Sequence, residues 1–225
     1  LTGAAGNLGK AVAAAFEAAG WSLALLDVND SFLRAAYTGA TDRKLLLTAD
    51  LMNPASVATA VESTLKRYGR IDALCNIAGG FAMGPSVHAT TVADWQKMQE
   101  LNVGTLLNIV RLVTPKMLAQ GGGKIVNIGS LAGLKASAQM GAYSVAKGAV
   151  IRITEAMAAE LRDNNINVNC VLPSVIDTPQ NRAAMPDADP SRWVAPADLA
   201  AVIVFLCSDA ARAIHGAAIP VSGLS

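Results

Sequence analysis

The feature that most constrains this chain is a regular alternation of short, unbroken apolar runs with longer helix-patterned segments. Residues 22–28, 45–48, 71–77, 124–129, 166–172 and 217–221 read as strands. Residues 11–19, 54–68, 92–120, 142–163 and 197–210 read as helices between them. Apolar runs without polar alternation suit strands covered on both faces, and strand–helix–strand order implies right-handed crossovers. The expectation is an α/β chain: one Rossmann-type domain over 1–225, with a doubly wound parallel sheet of about seven strands and helices on both faces. Gly20 closes the first helix, Pro54 opens another that Gly69 ends, and Pro115 is expected to break or bend the long one. Leu1 runs directly into a glycine-rich turn, so the strand feeding that turn is expected mostly upstream of it. Residues 173–196, rich in proline and polar side chains, read as an excursion from the sheet.

Composition narrows the functional classes. Over half of the residues are apolar but only 4% are aromatic, a mixture that suits helices packed closely on a parallel sheet. A net charge of +1 gives no electrostatic footprint for nucleic acid or an anionic membrane. The apolar run at 199–207 falls far short of the roughly 20 residues needed to span a bilayer. Cys75, Cys170 and Cys207 sit in apolar segments without metal-type spacing, which points to reduced, buried thiols, no metal, and a cytoplasmic protein.

Thr2-Gly3-Ala4-Ala5-Gly6-Asn7-Leu8-Gly9 sets three glycines where a strand should turn into a helix. A pyrophosphate needs such a turn: tight, open to close backbone approach, and followed by a helix whose free N–H groups face the phosphates. Glycine-rich turns also serve ordinary loop geometry. Asp27 stands about 20 residues further on, at the end of the next strand, where a carboxylate can accept hydrogen bonds from the adenosine ribose hydroxyls. Its charge would repel a 2′-phosphate, and Asn29 and Asp30 bring no arginine to offset it, so NAD(H) is preferred over NADP(H). The competing reading of Asp27 is a cap on the loop that follows.

Tyr143 and Lys147 lie four apart, on one face of a helix that follows a strand. A phenol of pKa near 10 is a poor acid–base catalyst at neutral pH. An ammonium group and an oxidised nicotinamide ring nearby would favour the phenolate, and lowering its pKa by about 3 units requires about 4 kcal/mol. Tyr143 could then donate a proton to a carbonyl oxygen or take one from an alcohol.

With these residues in place, the whole chain resembles the short-chain dehydrogenases/reductases in their single-domain form. Tyr143 and Lys147 match the family's Tyr-x-x-x-Lys, Ser130 its catalytic serine, and Asn102 in Leu101-Asn102-Val103-Gly104 its central-helix asparagine. The resemblance implies that Ser130 positions the substrate oxygen, that Lys147 binds ribose and tunes Tyr143, and that Asn102 holds a relay water. Ser130 as a helix-start residue and Asn102 as a buried structural amide remain the alternatives. It further implies cofactor contacts from Gly3, Gly6, Asn7, Leu8 and Gly9, from Asp50 and Leu51 at the adenine, from Asn76, Ala78 and Gly79 at a strand end, and from Pro173 and Thr178 at the nicotinamide. A homo-oligomer, tetramer or dimer, is implied as well. Two departures stand out. The glycines follow G-x-x-G-x-x-G rather than G-x-x-x-G-x-G, and Ser174 replaces the glycine that usually follows the proline.

Residues 174–196 should cover a small carbonyl or alcohol substrate. Their sequence, with Ala146-Lys147-Gly148 and Ala78-Gly79-Gly80, is similar to that of quinonoid dihydropteridine reductases, although that group lacks the serine supplied here by Ser130. Phe81, Met83, Met140, Met185 and Trp193 could line an apolar pocket or simply pack the loop. Arg182 and Arg192 could meet an anionic substrate or be solvated. Three functions follow: a carbonyl/alcohol oxidoreductase, a pterin reductase, and a catalytically silent NAD-sensing binder.

Overall fold

The computed structural model describes residues 1–38 and 41–225. Its six strands are β1 (Leu23–Asp27), β2 (Lys44–Thr48), β3 (Ala73–Asn76), β4 (Gly123–Ile128), β5 (Ile166–Pro173) and β6 (Ala218–Val221). All pair in parallel, β1 with β2 and then β3-β4-β5-β6 in order. Thr2 bridges Leu26 of β1 and Asn76 of β3, so the two groups form one surface. About seven strands were expected; among the described residues Leu1 and Thr2 occupy the middle row, Leu1 through bonds with Ala24 and Leu26 of β1.

The helices are α1 (Asn7–Ala18), α2 (Asp30–Ala36), α3 (Pro54–Tyr68), α4 (Val92–Gln99), α5 (Thr105–Gln120), α6 (Gly141–Leu161), α7 (Pro179–Ala184) and α8 (Pro196–Leu206). They divide between the two faces. Val57, Val61, Ile109, Val113, Val150 and Ile151 pack with Ile125, Ile166, Val168 and Leu172 on one side. Leu8, Val12, Phe16, Leu199 and Ile203 pack with Leu25, Val126 and Val171 on the other. Neighbouring residues of β4 and β5 therefore enter opposite cores, as a pleated strand requires. No helix among the described residues is long and apolar enough to cross a membrane.

One expectation is corrected here. The long central helix is not interrupted at Pro115, which lies inside an unbroken α5. The irregularity is a π-helical turn at Glu100–Gly104, between α4 and α5, and Asn102 sits in it. Residues 173–196 form the expected excursion; it contains α7, and Ile176 bridges Val194 to draw its ends together.

Candidate active site

The glycine turn sits at the carboxyl edge of the sheet and is braced on three sides. The Thr2 hydroxyl oxygen accepts from the Ile77 and Ala78 N–H groups at 3.0 and 3.1 Å. A Cβ on Gly3, whose φ is +63°, would lie 2.9 Å from the Ala78 backbone, and one on Gly9 only 2.2 Å from the Gly3 carbonyl oxygen. Both glycines thus serve close packing, and Gly6 caps α1 without any side chain, leaving first-turn N–H groups at the positive end of the helix dipole. With Gly3 and Gly9 as the outer glycines, Asn7 stands where the family pattern has its middle one. Its Nδ2 donates to Gln180 Oε1 of α7 at 2.6 Å, joining the turn to the excursion. Gln180 was missed in the sequence because nothing local marks a partner 173 residues away.

Asp27 is fixed beside this turn. Its Oδ2 accepts from the Ala5 N–H at 2.9 Å and its Oδ1 from the Asn29 N–H at 3.2 Å. Asn29 is the cap of α2, its Oδ1 accepting from the Phe32 N–H, while the bond from the Asn29 N–H makes Asp27 a cap on the loop before that helix. The Tyr37 hydroxyl donates to the Ala4 carbonyl at 2.7 Å; burial, reinforced by Asp27, pushes this phenol up to about 12. Further along the edge, Asp50 accepts from the Met52 N–H, and the Leu51 carbonyl accepts from Asn108 Nδ2 at 2.8 Å. Asn108 is another brace that carried no sequence signal.

The strand-end segment after β3 divides in two. Asn76 is buried and donates to Asn127 Oδ1 at 2.8 Å, and Asn127 in turn donates to the Thr154 hydroxyl. Its side chain therefore belongs to an interior polar chain. Gly79 lies instead against the central groups: a Cβ there would sit 2.8 Å from Asn102 Oδ1 and 3.4 Å from Lys147 Nζ. Asn102 clasps the neighbouring Gly80, accepting from its N–H at 3.1 Å and donating to its carbonyl at 3.0 Å and to that of Met98 at 3.1 Å. Its buried side chain braces this loop, the structural-amide alternative, and the π-helical turn sets it there.

Ser130 follows β4, and Tyr143 and Lys147 occupy successive turns at the start of α6. The Ser130 hydroxyl oxygen accepts from the Ala132 N–H at 3.2 Å, capping a short 3₁₀ turn. Lys147 is buried; its Nζ donates to the Ile128 carbonyl at 2.9 Å and lies 5.9 Å from the centre of the Tyr143 ring. Phe81 meets that ring edge-on, with centroids 5.0 Å apart. Burial pulls the Lys147 ammonium down to about 8, against a weaker upward pull from Cys170. Burial also raises the Tyr143 phenol above its usual range, and the Ser130 hydroxyl pulls it partly back. The sequence reading expected a lowered phenol; with its protein neighbours alone the direction is upward, because desolvation outweighs the hydroxyl.

Pro173 ends β5 beside this group, and Thr178 caps α7, its hydroxyl oxygen accepting from the Asn181 N–H at 3.1 Å. Ser174 uses the side chain that a glycine lacks, donating to the Ser222 carbonyl at 2.9 Å. Arg182 is held bidentately by Asp177 at 2.6 and 2.7 Å, and Arg192 donates to the Leu224 carbonyl. Trp193 is buried beneath the excursion. A cavity of about 300 Å³ adjoins Tyr143; of the five residues expected to line a pocket, Met83 and Met140 are in its wall and Phe81, Met185 and Trp193 are not, and Met98 joins them.

A parallel sheet carrying a glycine turn and a Ser–Tyr–Lys group on its carboxyl edge defines a Rossmann-type oxidoreductase. A family profile described as Enoyl-(Acyl carrier protein) reductase matches residues 3–223. The chain is 32% identical over 239 residues to the 2-(R)-hydroxypropyl-CoM dehydrogenase of Xanthobacter autotrophicus, covering 99% of this chain and 96% of that one. It is 33% identical over 232 residues to the NAD-dependent glycerol dehydrogenase of Listeria innocua, covering 99% and 91%. The solved structure of a short-chain type dehydrogenase/reductase from Mycobacterium ulcerans aligns with a TM-score of 0.92 at 29% identity, covering 99% and 87%. This chain belongs to the short-chain dehydrogenase/reductase family.

Proposed function

We propose that this enzyme interconverts an alcohol and a carbonyl with NAD(H), and that Tyr143 moves the proton on the substrate oxygen. The observation that carries this reading is the grouping of Ser130, Tyr143 and Lys147, reached by the same 78–79 segment that packs on the glycine turn: Gly79 lies against Lys147 and Ala78 against Gly3. The residues fit a dinucleotide. First-turn N–H groups of α1 are donors for a pyrophosphate, in a turn that added Cβ atoms on Gly3 or Gly9 would disrupt. Asp27, fixed by two backbone N–H groups, would accept from ribose hydroxyls and repel a 2′-phosphate, which supports NAD(H) over NADP(H). Asp50 and Leu51 would flank the adenine, and Ala78, Gly79, Pro173 and Thr178 the nicotinamide. When bound, the cofactor supplies or accepts the hydride.

The side chains divide the remaining work. The Ser130 oxygen accepts from Ala132, and its hydroxyl, which faces Tyr143, would donate to a substrate oxygen bound between them. Tyr143, a neutral phenol, would donate to that oxygen during reduction. Lys147 commits one hydrogen to Ile128 and keeps others for a ribose hydroxyl. In the oxidative direction its ammonium, together with the charge of the oxidised cofactor, would favour the phenolate.

The test is cofactor oxidation at neutral pH with NADH and NADPH in parallel, across ketones, aldehydes and a quinonoid dihydropterin. Carbonyl turnover that favours NADH is expected. Turnover of the pterin alone would replace the reading with pterin reduction, equal use of NADPH would remove the role given to Asp27, and silence across the panel would refute the proposal.

A further inference from the structure

The small cavity beside Tyr143 bears on what the substrate carries at its far end. It lies among the 82–85 segment, α4 and the start of α6, with Tyr143 in its wall. Met83, Met98, Met140 and Pro85 form its apolar part, adaptable through the methionines, and Thr90, Asp94, Lys97 and Gln139 its polar part. At about 300 Å³ it stands at the low end of small-molecule sites, so it suits a compact substrate.

Its polar groups are unequal. The Asp94 carboxylate accepts from the Thr91 hydroxyl at 2.7 Å, and its N–H donates to the same oxygen at 3.1 Å. Lys97, one helical turn on, lines the cavity and has no ion-pair partner among the described residues. Both arginines of the excursion are already engaged, Arg182 by Asp177 and Arg192 by the Leu224 carbonyl.

We infer that Lys97 is a specificity-determining residue, selecting a small oxo- or hydroxy-compound with an apolar body and an anionic end. This inference rests on the reading of Tyr143 as the reacting end of the site.

Calorimetric titration in the presence of NAD⁺ tests this without requiring turnover. Short straight-chain oxoacids, with the carboxylate at increasing distance from the ketone, are compared with their methyl esters and with glycerol. The expected result is that at least one oxoacid binds about tenfold more tightly than its ester. That preference should collapse in Lys97→Met and survive in Lys97→Arg. The inference is overturned if no oxoacid binds, if the ester or glycerol binds as tightly, or if the preference persists in Lys97→Met. Failure of the proposed redox reaction would show instead as absent NADH oxidation alongside intact carboxylate binding.

Discussion

Replacing Lys147 with methionine should make the protein more resistant to unfolding at neutral pH relative to alkaline pH, while removing its activity. Lys147 is 6% exposed, and burial lowers its ammonium from 10.5 to about 8. Between those values the unfolded chain binds more protons than the folded one, so this residue makes wild-type stability rise as pH rises from about 8 towards 10.5. Below pH 8 the folded protein bears the full burden of an ammonium in the interior, about 3 kcal/mol at 1.36 kcal/mol per pH unit. Methionine removes that burden at similar volume but leaves the Ile128 carbonyl without its 2.9 Å donor, a loss of about 1–3 kcal/mol that does not depend on pH. The net change at pH 7 is therefore small. Its pH dependence is not: the advantage of Lys147→Met over wild type should shrink by about 2.5 kcal/mol between pH 7 and pH 10. Urea unfolding of both proteins at the two pH values measures this difference and cancels the titrations they share. A gap that stays constant with pH would refute the claim that burial, rather than a compensating partner, governs Lys147.

Other substitutions probe separate parts of the site. Asp27→Ala should cut the preference for NADH over NADPH by about tenfold or more, as read from the ratio of kcat/KM values, because a charged hydrogen-bond acceptor is lost. Gly79→Ala places a Cβ 2.8 Å from Asn102 Oδ1 and 3.4 Å from Lys147 Nζ; kcat should fall while circular dichroism reports an intact fold. Ser130→Ala should lower kcat for carbonyl substrates by about 10²–10³, the usual loss of one donor to a developing oxyanion. Undiminished turnover in that variant would leave Ser130 only its role in capping the 3₁₀ turn.

The fold was legible where local chemistry and tertiary demand coincide. Pro54 and Gly69 bracket α3 in sequence and in structure, and the unbroken apolar run of β5 reads correctly because both of its faces are buried. It was less legible where a residue serves something distant. The sequence reading began the first helix at residue 11, since Gly6 and Gly9 look like turn residues; α1 begins at Asn7, with Gly9 inside it to permit close approach to Gly3. The short α2 was left unassigned, although Asn29 marks its start. Pro115 suggested a break because it lacks an N–H, whereas the actual irregularity, at Glu100–Gly104, serves the contact between Asn102 and Gly80. The central residues were legible as a motif. Their supports were not: Asn108, Gln180 and the Ser174 hydroxyl act through partners on distant elements.

The central claim, proton transfer by Tyr143 during NAD(H)-linked redox chemistry, is tested most directly by following NADH oxidation in wild type and Tyr143→Phe on the same responsive carbonyl. Cofactor affinity is measured in parallel by fluorescence titration. The account requires turnover to fall by about 10²–10⁴ in the variant, the usual contribution of a general acid, with NADH affinity essentially retained. Turnover that survives the loss of the hydroxyl would contradict it.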